Sequence, residues 1–171
     1  MRLFIAVNFD DTIKKKISQI ADWLKQQGIK GNYAKESNYH ITLLFLGQSE
    51  QSQIPFIKDA IVDINESHFD ITLNNISSFG KNIIYLGVND SKHLKNINAF
   101  LFNRLRNTFD LQPNRFSPHI TLIRNPDYVP SGIKVDEILP YTYTVNDISL
   151  MQSLRVEGEL VYRSIFVHKL K

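Results

Sequence analysis

The chain has 171 residues, of which 43% are hydrophobic and 22% charged, a composition typical of a globular protein with a substantial core. It contains no cysteine, which excludes disulfide bonds, a cysteine nucleophile and zinc sites built on thiolates. The formal net charge of +3 is compatible with an anionic ligand but does not by itself indicate one.

Helical and strand-like segments alternate along the chain. Apolar residues recur at helical spacing in three segments, which predicts helices over residues 11–27, 53–65 and 91–109. Seven other stretches are rich in β-branched and aromatic residues and are predicted to be strands. They are Arg2–Val7, His40–Leu46, Asp70–Leu73, Asn82–Val88, His119–Ile123, Tyr143–Ser149 and Leu160–Lys169. This order of elements, without a low-complexity linker, predicts an α+β fold in a single domain over residues 1–171.

No apolar run approaches the length of a membrane span, and the apolar start of the chain is too short for a signal-peptide core. We therefore expect a cytoplasmic protein that does not enter a membrane.

One string of four residues, His-Ile-Thr-Leu, occurs twice, at residues 40–43 and 119–122. Each copy falls in a predicted strand, where side chains two residues apart point to the same face. His40 therefore shares a face with Thr42, and His119 with Thr121, while the apolar residues of each copy face a core. If the two strands face each other across a cleft, two imidazoles and two hydroxyls converge on one point.

These side chains suit acid/base chemistry at phosphorus. An imidazole titrates near neutral pH, so that one ring can accept a proton while another donates one. Threonine hydroxyls can donate hydrogen bonds to phosphate oxygens. A single histidine in a strand is more often structural, and a duplication could preserve a packing motif without chemistry. The repetition of the polar pair together with the apolar pair favours a functional site.

With these motifs, the chain resembles the two-histidine (2H) phosphoesterases, and among them the LigT-like RNA 2',3'-cyclic phosphodiesterases, also called 2'-5' RNA ligases. The signature of that family is a pair of His-x-Thr/Ser-x motifs. The resemblance extends to the opening strand at residues 2–7, to HITLLFLG at residues 40–47 and to FSPHITLIR at residues 116–124. The chain departs from the family pattern at Tyr85, where many members have Trp, and in the Gly–Tyr spacing of the closing segment, residues 152–162.

The resemblance implies a bilobal fold in which two antiparallel sheets line a central cleft, with the helices outside, and it implies no cofactor. No His-Glu-x-x-His motif or carboxylate cluster in the sequence suggests a metal. The resemblance also implies that water opens a 2',3'-cyclic phosphate to leave a 2'-phosphate. On that pattern His119 is the proton acceptor that activates water, and His40 is the proton donor to the departing 3' oxygen. Thr42, Thr121 and Arg124 would bind the phosphate. The implied partners are RNA ends or small cyclic-phosphate nucleotides. The protein is expected to be a monomer.

Arg124 lies five residues after His119, so a regular strand would direct it to the opposite face. It can reach the cleft only if the strand ends or twists near Ile123.

Other candidate residues have simpler interpretations. His68, His93 and His168 lack a threonine partner and are interpreted as structural, with His93 in solvent. The lysines of residues 14–16 are interpreted as a solvated helix face, with contact to RNA as the alternative. Four aromatic residues are candidates for stacking on a base, namely Phe4, Tyr33, Tyr39 and Phe116. For Phe4 and Phe45 a core position is favoured.

Two other functions stay open. The chemistry at phosphorus would be shared by a 2H phosphodiesterase that acts on 2'-5' oligonucleotides or on a cyclic nucleotide-sugar phosphate. A non-catalytic module that binds RNA ends is the alternative from another class, although binding alone does not require groups that titrate near neutral pH.

Overall fold

The protein was analysed as a computed structural model that describes residues 1–89, 91–113, 115–136 and 138–171. Its elements in chain order are β1 (Arg2–Asn8), α1 (Asp11–Gln26), β2 (Asn32–Tyr33), β3 (His40–Gln48), α2 (Ile54–Val62), β4 (Phe69–Phe79), β5 (Ile83–Val88), α3 (Lys92–Phe109), β6 (His119–Arg124), β7 (Tyr141–Val145), β8 (Asp147–Val156) and β9 (Glu159–Lys169). Short 3-10 turns precede β3 and α2.

The three helices begin where the sequence supplies a cap or a proline. The Asp10 side chain accepts a hydrogen bond from the main-chain N–H of Ile13 and so caps α1, and Ser91 caps α3 in the same way. Pro55 lies in the first turn of α2, where its missing N–H leaves no helical hydrogen bond unmade. The apolar stripe of each helix is buried against the sheets, as the periodicity predicts.

The strands form two antiparallel sheets. One has four strands in the order β3-β1-β8-β9, and the other has five in the order β2-β6-β5-β4-β7. Most buried residues of both sheets and all three helices belong to one cluster, and Phe4, Ala6 and Met151 of the four-stranded sheet form a second, small one. The predicted fold of two antiparallel sheets with helices outside is thereby confirmed, with one copy of the repeated string in each sheet.

The predicted strand Tyr143–Ser149 is wrong, because the chain changes sheets within it. Residues up to Val145 pair with β4 in the five-stranded sheet, whereas residues from Asp147 pair with β9 in the four-stranded sheet. Both sides of the break are rich in strand-forming residues, so that only Asn146, a poor strand former, marks it in the sequence.

Smaller differences concern the ends of elements. The strand predicted over Asp70–Leu73 continues to Phe79, and the two-residue strand β2 was not predicted. The lysines of residues 14–16 do not form one solvated face. Lys14 is buried, and its Nζ donates to the main-chain oxygen of Ser37 at 3.3 Å. Burial lowers its pKa, against the opposing effect of Asp11.

Candidate active site

The two copies of the repeated string face each other, because β3 at the edge of one sheet contacts β6 of the other. Thr42 and His119 line one cavity between the sheets, and His40 and Thr121 line an adjoining one. The four polar side chains that the sequence singled out are thus brought together from separate halves of the chain. A cleft between two sheets is where a small anionic group could contact all four.

Each imidazole is oriented by a main-chain carbonyl that lies two residues before it in the sequence. Nδ1 of His40 donates to the main-chain oxygen of Asn38 at 2.7 Å, and Nδ1 of His119 donates to that of Ser117 at 2.8 Å. A carbonyl oxygen can only accept, so Nδ1 carries the hydrogen in both rings. When a ring is neutral, its Nε2 therefore has a free lone pair. This is the tautomer that a general base requires.

The immediate surroundings of the two rings differ. In the unliganded cleft the hydroxyl of Thr42 lies 3.0 Å from Nε2 of His40 and donates to it when the ring is neutral. No equivalent bond joins Thr121 to His119 in the described part of the chain. His40 and its own threonine are therefore side by side, as strand alternation predicts.

Aromatic side chains hold both imidazoles. His40 packs against the rings of Phe4 and Tyr162, each with its centroid 5.0 Å away. His119 packs against Phe79 at 4.8 Å and Tyr85 at 5.4 Å in edge-to-face contacts. These apolar walls remove water from one side of each ring, which disfavours the charged imidazolium.

The pKa values follow from this burial. Burial lowers the pKa of His40 to about 4, opposed by its bond to the Asn38 carbonyl and reinforced by the positive charges of His119 and Arg124. Burial also lowers the pKa of His119, where the Ser117 carbonyl opposes the effect and Arg124 reinforces it. Both rings are neutral at pH 7 in the unliganded cleft, and a bound anion would raise both pKa values.

Arg124 lies with the catalytic candidates because β6 contains a bulge. Tyr85 of β5 pairs with Thr121 and Ile84 pairs with Ile123, so that Leu122 has no partner. Leu122 and Ile123 are consequently both buried, and the alternation of faces is shifted by one residue. Arg124 then returns to the face of His119 and lines the cavities beside His40. The irregularity that the sequence analysis required near Ile123 is present.

The predicted core position of Phe45 is wrong, because β3 also contains a bulge. On β3 the partners of Ala6 and Ile5 are Thr42 and Leu44, which leaves Leu43 unpaired. The shift in alternation turns Phe45 out of the core, and its side chain is 47% exposed on the cleft side. Phe45 is therefore not a core residue, whereas Phe4 is buried as expected.

Other aromatic predictions have mixed outcomes. Tyr39 is fully buried, so its candidacy for base stacking is wrong. Tyr33 and Phe116 line cavities next to the repeated strings. Tyr162 and Phe79 were missed as site residues, since a strand tyrosine and a strand-end phenylalanine carry no local signal of their partner in space.

A family model described as the 2'-5' RNA ligase superfamily matches residues 9–157, which is most of the chain. The chain belongs to the 2'-5' RNA ligase superfamily. The match includes both copies of the repeated string and confirms the family predicted from them.

Relatives within this superfamily carry the name RNA 2',3'-cyclic phosphodiesterase. One from Archaeoglobus fulgidus is 27% identical, covering 98% of this chain and 99% of the relative. Another from Thermotoga maritima is also 27% identical, covering 94% of this chain and 98% of the relative. The similarity therefore covers nearly all of this chain and of each relative and is not confined to the motifs.

Solved structures share the superfamily fold. Apo LigT from E. coli superposes with a TM-score of 0.87 at 21% identity, covering 99% of this chain and 96% of LigT. LigT complexed with 3'-AMP gives a TM-score of 0.86 at 23% identity, covering 99% of this chain and 97% of LigT. At these identities the likeness establishes the fold.

The remaining histidines of this superfamily member lie away from the cleft. Nδ1 of His93 lies 2.7 Å from Glu66 Oε2, and its ring stacks on Phe69, so it is exposed but not simply solvated. His68 donates to the main-chain oxygen of Lys171. Neither of these nor His168 lines the cavities that contain the repeated strings.

Within the described residues, no three His, Asp or Glu side chains are grouped so as to hold a metal ion. None of the helices in that same part of the chain combines the length and apolar character needed to span a membrane. Metal independence, the monomeric state and the cytoplasmic location stay predictions.

Proposed function

We propose that this chain is an RNA 2',3'-cyclic phosphodiesterase that hydrolyses cyclic phosphate ends to 2'-phosphates without a metal ion. The observation that carries the proposal is the approach of two identical His-Ile-Thr-Leu strands from different sheets, so that His40, Thr42, His119 and Thr121 line adjoining cavities. The name shared by the full-length relatives supports the same substrate class. The complex of LigT with 3'-AMP supports a nucleotide as the class of ligand.

In the proposed reaction His119 acts as the base. Its Nε2 takes a proton from water as the water oxygen attacks phosphorus. The bond between phosphorus and the 3' oxygen breaks, and His40 donates the proton that this oxygen needs as it leaves. The phosphate stays on the 2' oxygen. The expected contribution of each proton transfer is roughly 10²–10⁴-fold in rate.

His40 can act as an acid near pH 7 only if substrate binding leads to protonation of its ring. Burial holds the pKa of His40 to about 4 in the unliganded cleft, so the free ring is neutral near pH 7. A phosphodiester anion next to the ring favours the imidazolium and raises this pKa. His40 would therefore take up its proton as the substrate binds, while the aromatic walls keep out competing water.

The other polar groups would stabilise the charge on phosphorus. Thr42 and Thr121 can donate hydroxyl hydrogen bonds to the non-bridging oxygens. The guanidinium of Arg124 can offer two parallel donors to them, and this geometry suits phosphate better than a point charge does. Such donors accelerate the reaction when they bind the transition state more strongly than the substrate.

The direct test is incubation of the protein with an oligonucleotide that ends in a 2',3'-cyclic phosphate, in EDTA, between pH 5 and 8. The expected product is a 2'-phosphate end, identified by its resistance to an enzyme specific for 3'-phosphates. Absence of hydrolysis over that range would end the proposal, and tight binding without turnover would favour a module that only binds RNA ends. Hydrolysis of a 2'-5' linkage or of a cyclic nucleotide-sugar phosphate in preference to the cyclic end would identify a different substrate of the same chemistry.

A further inference from the structure

A cavity of about 500 Å³ opens beside His40 on the face of the four-stranded sheet. Three arginines line it, namely Arg2 on β1, Arg124 on β6 and Arg155 on β8. Among the described residues no aspartate or glutamate lines this cavity. It is therefore a cationic extension of the cleft, larger than a single phosphate held between the two histidines would need.

The guanidinium groups of Arg2 and Arg155 are held by neutral partners. Arg2 lies over the ring of Phe45, with its Cζ 5.0 Å from the ring centroid. Nη1 of Arg155 donates to the main-chain oxygen of Gly158 at 3.0 Å. In the part of the chain that the structure describes, neither arginine is in an ion pair, although acidic residues pair with basic ones elsewhere on the surface. Most of their hydrogen-bond donors are thus available to an anion.

Strand register places both arginines at one end of the face that carries His40. Arg2 pairs with Ser153, and Arg155 lies two residues further along β8 on the same face. Along β1, Arg2 is four residues from Ala6, the partner of Thr42. At about 3.4 Å per residue this separation is about 14 Å between main-chain positions, and a long arginine side chain can shorten it. The two ends of the face are therefore separated by more than one phosphate spans, which leaves room for a sugar between two phosphates.

We propose that Arg2 and Arg155 form a second phosphate subsite, which binds a phosphate one nucleotide unit away from the cyclic phosphate. The substrate class is then a nucleoside 2',3'-cyclic phosphate that carries another phosphate at its 5' position. That phosphate is either a terminal monoester or the diester to the preceding nucleotide. The inference builds on the proposed function, because it assumes that the reacting phosphate lies between His40 and His119.

Equilibrium binding tests the subsite without turnover. Adenosine 2'-phosphate and adenosine 2',5'-bisphosphate share the group expected between the histidines and differ only in the 5'-phosphate. We expect the bisphosphate to bind the wild-type protein at least about tenfold more tightly, since a charge-assisted hydrogen bond of this kind is worth about a factor of ten or more. Raising the salt concentration should reduce that advantage, because exposed charges are screened.

Three variants separate the subsite from general effects of charge. Arg2→Gln and Arg155→Gln should each lower the ratio of the two affinities by about tenfold. Arg163→Gln removes an equal charge from the opposite face of the same sheet, adjacent to Tyr162 on β9, and should leave the ratio unchanged. If Arg155 only braces the β8–β9 turn through Gly158, its substitution will weaken both ligands equally and leave the ratio unchanged.

Turnover identifies the source of the second phosphate. We would compare kcat/KM for adenosine 2',3'-cyclic phosphate, for its 5'-phosphorylated form and for a dinucleotide that ends in the cyclic phosphate. Preference for both phosphorylated substrates indicates an RNA chain, and preference for the 5'-monoester alone indicates a mononucleotide. Equal kcat/KM for all three together with equal binding of the two adenosine ligands would overturn the subsite and leave the proposed function intact. Tighter binding of the bisphosphate that depends on Arg2 and Arg155, without any hydrolysis, would sustain the subsite and remove the proposed function.

Discussion

Leu43 and Leu122 hold the same place in the two copies of the repeated string, and each is the unpaired residue of a β-bulge. A bulge leaves main-chain groups without their ladder partners, and both leucine carbonyls obtain a donor from elsewhere. The oxygen of Leu43 accepts from Nδ2 of Asn98 on α3 at 2.7 Å, and the oxygen of Leu122 accepts from the main-chain N–H of Ala34 at 2.9 Å. The bulges direct Phe45 and Arg124 into the cleft from equivalent positions.

Asn98→Ala should destabilise the protein, because it removes the donor to the Leu43 carbonyl. A buried acceptor without a partner costs about 1–3 kcal/mol, partly offset by the higher helix propensity of alanine. Asn103→Ala, at an exposed position of the same helix, is the matched control and should change stability by less than about 0.5 kcal/mol. Urea unfolding measures both, and equal free energies of unfolding for the two variants would show that the bulge does not depend on Asn98.

Arg124→Gln should raise the pKa of the imidazoles of both His40 and His119. The positive charge of Arg124 lowers the pKa of His40 and of His119, so its removal favours both imidazolium forms. NMR titration of the ring resonances measures the change directly in the unliganded protein. Arg163→Gln removes a charge from outside the cleft and should leave both titrations unchanged. If the pKa of His119 is unchanged in Arg124→Gln, the guanidinium lies too far away to bind the phosphate.

Replacement of either histidine by alanine should lower kcat by roughly 10²–10⁴-fold while the fold persists. The two losses should differ when the leaving group changes. With an aryl phosphodiester, whose phenol leaves without a proton, His40→Ala should regain most of its activity because only the acid is missing. His119→Ala should stay inactive, since the water still requires a base. The reverse pattern would exchange the two roles, and full activity of both variants would exclude the acid/base pair.

The pH dependence should differ between the free and the substrate-bound enzyme. Burial lowers the pKa of both histidines from 6.5, that of His40 to about 4, so one ring is charged and the other neutral only at acidic pH. We expect kcat/KM, which reports the free enzyme, to reach its maximum between about pH 4 and 6.5. The bound phosphate raises both pKa values, so the maximum of kcat should lie at higher pH. Steady-state rates across pH 4–9 test this, and a maximum of kcat/KM above pH 7 would contradict it.

The sequence identified the catalytic candidates because strand periodicity acts locally. A histidine and a threonine two residues apart share a face wherever their strand lies, and the repetition of the string distinguished His40 and His119 from His68, His93 and His168. The helices were predictable for a similar reason, since their caps and apolar stripes lie within a few residues of each other. Only Asn146 marked the change of sheet between β7 and β8, so the strand predicted across it was wrong.

Neighbours along the chain were sufficient to predict the three helices, the family and the side chains that are candidates for the chemistry. The tertiary structure alone decided that the two strings meet, that bulges at Leu43 and Leu122 turn Phe45 and Arg124 into the cleft, and that Arg2 joins Arg155 beside it. Bulges and cavities arise from pairing between segments far apart in sequence, and that pairing is set by the burial of the whole core rather than by any local pattern.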